Sequence, residues 1–312
     1  MGIAALSLFG CSQKKTITDD SAWLRNGIET AQFQLKMTAE AIDSKNIQDT
    51  AVFPRSILNP KPMAEKNPQN WIDSLRLEKP KDWTSGFFPG SMWLAYELTG
   101  DDTLKREARK YTELLSDLQY YTGTHDLGFM VFCSFGNAYR LAPEAGDSAI
   151  IVNASKSLAS RYNPQKGVIR SWDFGEWTYP VIIDNMMNLE MLFWASQATQ
   201  DSTFRNIAIT HADNTMKFHY RPDMSCCHVV DYIDPANDIT KQMTYQGYSD
   251  SSTWARGQAW GLYGYTLCFE ETNHSAYLER AQQIAKFIME NPAIPEDLIP
   301  YWDYNAPTIP DA

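Results

Sequence analysis

Two aspartates stand where a carboxyl group could transfer a proton. Asp184 lies in the run VIIDNMM, so apolar side chains flank it on both sides. Such surroundings disfavour the charged form, raise the pKa of a carboxyl group and suit it to general-acid catalysis. Asp126 follows His125 in GTHDLG, just before another apolar run. Aspartate is also a preferred helix N-cap, and both positions fall at predicted helix starts, so capping is the alternative role for each.

Four pairs of predicted helices must position these residues. They are 90–98 with 103–115, 129–141 with 148–162, 186–198 with 202–218, and 258–269 with 275–289. The first helix of each pair is apolar nearly all round, as expected of a helix covered on both sides, and the second has one apolar stripe. One further helix is predicted at 21–41. Pairs that recur roughly every fifty residues indicate a helical repeat architecture.

Such a repeat can form an open solenoid or a closed toroid. A closed toroid is favoured because helices that are apolar on both faces suit an inner ring wrapped by an outer ring. The predicted fold is all-α, since no sustained alternation of period two appears and no glycine-rich phosphate loop precedes a helix.

The segments before the four inner helices share a mixed polar and aromatic character. They are 81–86, 123–128, 177–185 and 250–258. Inner helices of a toroid run parallel, so their N-termini and these segments should meet at one mouth. Helix N-termini present free N–H groups and partial positive charge, which favours an anionic ligand.

Composition limits the class of protein and of partner. The 312 residues are 44% apolar and 13% aromatic, with 10 tryptophans, which is enough for a large core and for aromatic surfaces that stack on sugars. The net charge of −11 and the lack of a Lys/Arg stripe argue against a nucleic-acid partner. An anionic substrate would need local cationic groups to offset the overall field.

The cysteines predict a lipid anchor rather than a metal site. Cys133, Cys226, Cys227 and Cys268 match no metal motif and are interpreted as small apolar residues. Cys11 follows an apolar run in LFGC, which resembles a lipoprotein processing site with Cys11 lipidated. A frayed apolar N-terminus is the alternative. No other run is long enough to span a membrane, so we expect membrane attachment only through this anchor.

These observations predict two regions and a cellular location. Residues 1–20 would be a truncated lipoprotein-like signal and tether, and residues 21–312 the toroid domain. The expected location is the bacterial cell envelope, as a periplasmic or outer-membrane lipoprotein, or the cytoplasm if the N-terminus is not a signal.

Four segments carry a resemblance to a known family. They are DWTSGFFPGSMWLAYELTGD, THDLGFM, IIDNMMNLEMLFWAS and TYQGYSDSSTWARGQAWGLYGY. In this order they resemble the unsaturated glucuronyl hydrolases, glycoside hydrolase family 88, and the resemblance runs from about Trp23 to the C-terminus.

The resemblance implies a six-pair (α/α) toroid and a hydration mechanism that needs no metal and no cofactor. The substrate would be an oligosaccharide made by a polysaccharide lyase, whose terminal uronate has a C4=C5 double bond. By position, Asp184 would protonate C4 and then act as the base toward the water that attacks C5. Asp126 would contact the sugar hydroxyls and assist Asp184.

The resemblance also implies substrate contacts. Polar contacts would come from His125, His228, Gln246 and Arg256, and aromatic walls from Trp83, Trp254 and Trp260. From the residues alone, Arg256 could hold a uronate with a bidentate fork or be a structural arginine. His228 lies in the apolar run CCHVV, where a core histidine is the alternative, and Trp260 could equally pack in the core.

The family pattern continues beyond the end of this chain. A last helix pair with serine-containing substrate contacts is expected to be missing after Asp311-Ala312. Three other functions stay open: an unsaturated rhamnogalacturonyl hydrolase acting on pectin fragments, a non-catalytic oligosaccharide-binding lipoprotein, and a sugar epimerase. The epimerase is disfavoured because no paired histidines are placed at the mouth as acid and base.

Overall fold

A computed structural model describes residues 22–44, 52–58 and 74–307. Nine α-helices occur among these residues, and we number them in chain order. They are α1 (Ala22–Ser44), α2 (Phe87–Thr99), α3 (Asp102–Glu113), α4 (Asn137–Leu141), α5 (Asp147–Ala159), α6 (Leu189–Thr199), α7 (Ser202–Phe218), α8 (Ala255–Thr272) and α9 (Ser275–Glu290). The helix predicted at 21–41 and the four predicted pairs are all confirmed, with small shifts at their ends.

The first helix of each pair packs against the first helix of the next pair. Contacts run from α2 to the segment that leads into α4, on to α6, and from there to α8. Glycines allow this close approach: a Cβ on Gly90 would lie 2.7 Å from the carbonyl oxygen of Cys133 in the neighbouring helix. A Cβ on Gly264 of α8 would lie 2.5 Å from Cβ of Met186. These helices form the inner layer, and α3, α5, α7 and α9 lie outside them.

Two inner helices begin in other helical forms. The segment Gly128–Gly136 is a π-helix that continues into α4, and Ile183–Asn188 is a 3-10 helix that continues into α6. The sequence predicted ordinary α-helix over both segments. Irregular helical turns of this kind are frequent at functional sites. The π-helix begins two residues after Asp126, and the 3-10 helix includes Asp184.

Three small β-sheets within the described part of the chain were not predicted from the sequence. Two are two-stranded antiparallel pairs, β1 (Phe53–Ile57) with β2 (Leu75–Glu78), and β3 (Tyr162–Asn163) with β4 (Val168–Ile169). The third sheet has the order β5-β6-β7 and is fully antiparallel. Its strands are β5 (Pro180–Ile182), β6 (Val229–Asp234) and β7 (Ile239–Met243).

The third sheet sets the distance between two predicted site residues. Ile182 at the end of β5 pairs with Val229 at the start of β6. The N–H of Ile183 then donates to the carbonyl oxygen of His228, at 3.0 Å. Because Asp184 follows β5 directly and His228 precedes β6 directly, this pairing brings the two side chains together.

The core lies between the inner and outer layers. Its largest fully buried side chains include Trp93, Tyr111, Tyr265 and Phe193. Cys226, Cys227 and Cys268 are buried and free, and Cys133 is free and partly buried, as expected of small apolar residues. No helix in the described ranges is both long and apolar enough to cross a membrane. Cys11 lies outside the described residues, so its lipidation and the two predicted regions stay predictions.

Candidate functional site

The four segments that precede the inner helices meet at one place. His228 Nε2 lies 3.7 Å from Asp184 Oδ2, and the His228 ring lies 4.7 Å from the Trp254 ring. The guanidinium of Arg256 lies 4.5 Å from the Trp254 ring and 5.7 Å from the Trp83 ring. The predicted convergence is therefore observed for these residues.

Asp184 is a buried carboxyl without a hydrogen-bond partner at Oδ2. Burial and, second to it, the negative charge of Asp126 raise the pKa of Asp184 to about 7, although Arg256 and the indole of Trp260 act in the opposite direction. The side chain does not cap a helix, because the N-cap position belongs to Ile182 and carries no side-chain bond. Near neutral pH this group can therefore exist both as an acid and as a carboxylate.

His228 is held in one tautomer by the backbone. Its Nδ1 accepts hydrogen bonds from the N–H groups of Tyr245 and Gln246, at 3.0 and 3.1 Å. Burial lowers the pKa of His228 to about 3, so the ring is neutral and its one proton is on Nε2. That N–H lies near Asp184 Oδ2, although 3.7 Å is too long for a hydrogen bond.

His125 is held in the opposite tautomer. Its Nδ1 donates to the carbonyl oxygen of Ser171 at 3.0 Å, since a carbonyl can only accept. Its Nε2 lies 3.1 Å from Asp126 Oδ1 without an aligned hydrogen bond. Burial lowers the pKa of His125, which favours the neutral ring with a bare Nε2.

Asp126 is the more accessible of the two aspartates. The hydroxyl of Thr124 donates to its Oδ2 at 2.8 Å, and the same hydroxyl accepts from the Asp126 backbone N–H at 3.1 Å. Its carboxylate does not cap the following helix, whose N-cap is Leu127. The alternative that these aspartates serve as N-caps is therefore not supported for either of them.

Arg256 is fixed at the mouth by an amide and two aromatic rings. Its Nη2 donates to Gln246 Oε1 at 2.9 Å, and its guanidinium lies over Trp254 and Trp83. The residue remains exposed, so its other N–H groups can reach an anion. Gln246 thereby contacts both Arg256 and, through its backbone, His228.

An aromatic wall connects the remaining predicted residues. Trp83 lies 5.5 Å from Phe129, and Phe129 lies 5.4 Å from Trp260. The Nε1 of Trp260 is buried and has no hydrogen-bond partner. Trp260 thus presents a polar atom beside Asp184, which distinguishes it from a ring that only packs in the core.

Four side chains of this cluster each have a buried polar atom without a hydrogen-bond partner. Among the described residues, buried side-chain atoms without a partner include one each from His125, Asp184, His228 and Trp260. Buried polar groups are almost always hydrogen-bonded, and the exceptions call for an explanation such as a functional site. This arrangement suits a ligand with several hydroxyl groups.

Two similar proteins are named unsaturated glucuronyl hydrolases. A relative from Formosa agariphila, an unsaturated glucuronyl hydrolase, is 47% identical over 235 residues, covering 74% of this chain and 59% of its own. A solved unsaturated glucuronyl hydrolase specific for heparin is 44% identical, with a TM-score of 0.82 over 91% of this chain and 72% of its own.

This chain belongs to the unsaturated glucuronyl hydrolase family. An unsaturated chondroitin disaccharide hydrolase from Streptococcus pyogenes serotype M1 is also similar, at 36% identity over 232 residues, covering 71% of this chain and 56% of its own. No protein-family model matches the chain. The fold class predicted from the sequence, an (α/α)6 toroid, is confirmed by the solved relatives.

The chain spans less than two thirds of the length of these curated relatives, 59% and 56%. The absence of a last helix pair stays a prediction.

A second aromatic group at the mouth was missed in the sequence. Trp172, Phe174, Trp177 and Tyr245 lie with ring centroids 5.0 to 6.0 Å apart. Trp172 lies 5.9 Å from His228, whereas Phe174 and Tyr245 are 52% and 59% exposed. The string SWDFGEW was the available signal, because three large rings within six residues of a loop are unusual away from a core.

Asp303 was also missed, and it fixes the loop before α8. Its Oδ2 accepts from the Tyr248 N–H at 2.9 Å and from the Ser252 hydroxyl at 2.7 Å. The Ala255 N–H donates to the carbonyl oxygen of Trp302 at 3.0 Å. The segment around Asp303 therefore holds the loop that carries Trp254 and Arg256 in place.

No group of three or more His, Cys, Asp or Glu side chains within the described ranges could hold a metal ion.

Proposed function

We propose that this protein removes the Δ4,5-unsaturated uronate from the non-reducing end of oligosaccharides made by polysaccharide lyases. The observation that carries the proposal is Asp184, a buried carboxyl with a pKa of about 7 and an unpartnered oxygen. An acid that gives up a proton and takes one back within a single turnover needs a pKa close to the working pH.

The reaction would be a hydration of the C4=C5 bond. Asp184 donates its proton to C4, which leaves positive charge at C5 shared with the ring oxygen. The Asp184 carboxylate then takes a proton from the water that attacks C5. The resulting hemiketal opens spontaneously and releases a keto-sugar and the rest of the chain. This chemistry differs from cleavage at the anomeric carbon by two carboxyl groups.

The charged intermediate form of Asp184 has support from two sides. The Nε2 of His228 lies 3.7 Å from Oδ2, and the positive charge of Arg256 favours the carboxylate. Burial and Asp126 favour the acid. These opposing influences keep both forms accessible during the cycle.

Binding of the uronate is assigned to Arg256. It is the cationic group of the cluster, and its fork is already oriented by Gln246. A preoriented guanidinium suits a carboxylate, because two parallel hydrogen bonds can form with little loss of side-chain freedom. This local charge would offset the net charge of −11.

The two acceptors His125 Nε2 and Asp126 Oδ1 suit sugar hydroxyl groups. A sugar hydroxyl can donate to either of them. Asp126 would thereby orient the sugar while its charge keeps the pKa of Asp184 high.

Glycosaminoglycan fragments are the proposed substrate class. The relatives are named for glucuronyl, heparin and chondroitin substrates, which supports this class over pectin-derived fragments. A polypeptide that only binds oligosaccharides would not need a carboxyl with a pKa near 7, so the geometry of Asp184 supports an enzyme.

The test is an absorbance assay with the purified chain. Unsaturated disaccharides from chondroitin, hyaluronan, heparin and pectin lyases would be followed through the absorbance of their conjugated double bond. Loss of the band with uronate disaccharides, and no loss with Asp184→Asn, would establish the activity and rank the substrates. No loss with any disaccharide, on the chain and on a version extended to the length of its relatives, would refute the proposal.

A further inference from the structure

Ser171 lies between the supports of the two aspartates and touches neither of them. It follows β4 and is fully buried. Its backbone N–H donates to the carbonyl oxygen of Pro180 at 2.9 Å, which fixes it against β5. The sequence gives no hint of a role, because a lone serine before a tryptophan matches no motif.

The hydroxyl of Ser171 holds the segment on both sides of Asp184. Its Oγ accepts from the Ile182 backbone N–H at 2.9 Å and from Asn185 Nδ2 at 3.1 Å. Ile182 comes two residues before Asp184 and Asn185 comes directly after it. The Asn185 side chain is anchored a second time, by donating to the carbonyl oxygen of Ile169 at 2.8 Å. The residues on both sides of Asp184 are thus tied to one oxygen atom.

The carbonyl group of Ser171 holds the partner of the other aspartate. It accepts from His125 Nδ1 at 3.0 Å and from Arg161 Nη2 at 3.2 Å. The first bond places the His125 proton on Nδ1 and leaves Nε2 bare toward Asp126 Oδ1. The same residue therefore sets the orientation of His125 and the position of Asp184.

We propose that Ser171 is a positioning residue that sets the placement of Asp184 relative to the His125–Asp126 pair. This inference rests on the proposed function, since its kinetic effect concerns the acid–base step. A misplacement of about 1 Å at a reacting group can reduce a rate on the order of 100-fold. Removing the hydroxyl leaves the Ile182 N–H without its acceptor and frees one anchor of Asn185, so the turn can shift.

The experiment compares Ser171→Ala with Ser155→Ala. Ser155 is an equally buried serine, on α5, whose hydroxyl donates only to backbone carbonyl groups. We expect Ser171→Ala to lower kcat at least about tenfold while KM changes less than about threefold. The basic limb of its pH–rate profile should also move, because that limb follows Asp184. Ser155→Ala should change neither.

A second variant covers the case in which Ser171→Ala does not fold. Asn185→Ala removes the donor to the Ser171 hydroxyl and to the Ile169 carbonyl oxygen but keeps the bond from the Ile182 N–H. It should lower kcat in the same direction by a smaller factor. A folded Ser171→Ala or Asn185→Ala protein with the kcat and pH profile of the wild type would overturn the inference. An equal loss of kcat in Ser171→Ala and in Ser155→Ala would mean a general loss of stability, and it would overturn the inference too.

A readout without turnover separates this inference from the proposed function. In protein labelled with ¹³C at the aspartate carboxyl carbons, the Asp184 signal is identified by its absence in Asp184→Asn. We expect its titration to shift in Ser171→Ala and to stay unchanged in Ser155→Ala. If the wild type turned over no unsaturated disaccharide, the proposed function would fail. The titration would still decide whether Ser171 positions Asp184, and an unchanged midpoint would sink the inference.

Discussion

The Nε2 atom of His228 lies 3.7 Å from Asp184 Oδ2, and its proton is fixed there because Nδ1 accepts from the N–H groups of Tyr245 and Gln246. A neutral N–H at this distance stabilises a carboxylate without giving it a permanent partner. Because the carboxyl group is buried and its Oδ2 has no hydrogen-bond partner, Asp184 keeps a raised pKa in the resting site. A small approach of the two side chains would be enough to stabilise its charged form after proton donation.

The pH profile should report on Asp184. Because the protonated form is the acid and its pKa is about 7, kcat should be highest below pH 7 and fall as the pH rises through it. The charge of Asp126 contributes to that pKa, so in Asp126→Asn the falling limb should move to lower pH. Initial rates between pH 5 and 9 measure both effects. An unchanged limb in Asp126→Asn would contradict the assignment.

Asp184→Asn should be inactive and more stable than the wild type at pH 8. Loss of the acid should lower kcat by about 10²- to 10⁴-fold. The folded state holds a proton up to about pH 7, whereas the unfolded chain releases it near pH 4, so the stability of the wild type falls as the pH rises through this window. The variant avoids that loss, which is at most about 4 kcal/mol.

Denaturant titration at pH 4.5 and pH 8 measures this difference. The matched control is Asp201→Asn, at the N-cap of α7, where asparagine caps equally well. It should keep wild-type turnover, and its free energy of unfolding should fall between these two pH values as that of the wild type does. If Asp184→Asn raised the free energy of unfolding equally at pH 4.5 and pH 8, Asp184 would have to be ionised in the folded protein at both pH values.

Arg256→Lys should weaken substrate binding more than it slows the chemical step. Lysine keeps the charge but cannot bond Gln246 and a carboxylate with one planar fork. Charged hydrogen bonds contribute about 1.5–3 kcal/mol, so KM should rise roughly 10- to 100-fold. Steady-state kinetics on a disaccharide and calorimetry in an Asp184→Asn background check this. Arg106→Lys, on the outer helix α3, should behave as the wild type.

Tyr245→Ala should discriminate substrates by length. The exposed rings of Phe174 and Tyr245 continue outward from Trp172, where a leaving chain would pass. An aromatic contact of about 0.5–1.5 kcal/mol predicts a roughly three- to tenfold loss of kcat/KM for a tetrasaccharide. A disaccharide should be unaffected, and Tyr245→Phe should restore the tetrasaccharide rate. Equal losses on both substrates would instead mean that the ring supports His228.

Asp303→Ala should loosen the loop that precedes α8. The substitution leaves the Tyr248 N–H and the Ser252 hydroxyl without their acceptor. The free energy of unfolding should fall by about 1–3 kcal/mol, and KM should rise because Trp254 and Arg256 lose support. Asp297→Ala, at an exposed position whose carboxylate accepts only from a neighbouring N–H, is the control. Wild-type stability and KM in Asp303→Ala would contradict this role.

Much of the fold could be predicted because helix periodicity is a local property. The paired pattern placed α2 and α3, and likewise α8 and α9, within a few residues. The π-helical and 3-10 starts were not predictable, because they depend on packing between neighbouring inner helices. The short strands β5 and β6 were missed for a related reason: three residues carry no detectable alternation, and their pairing is stabilised by partners distant in the chain.

The sequence predicted which side chains belong to the candidate site better than how they contact one another. Asp184 was identified by its apolar neighbours, and the structure has it buried with a raised pKa. The alternative that His228 is a core histidine agrees with the burial of its ring but not with its Nε2, which has no hydrogen-bond partner. Ser171 and Asp303 were missed because their roles come from hydrogen bonds to residues far away in the sequence.

The sequence by itself determined the helix pairs, the family and the residues available for acid–base chemistry, because these follow from residue type and local spacing. Only the tertiary structure decided which proton each histidine holds, which carboxyl group is buried, and which serine ties the two aspartates together. Those properties depend on partners brought close by folding, since a pKa and a tautomer are set by what surrounds a group in space.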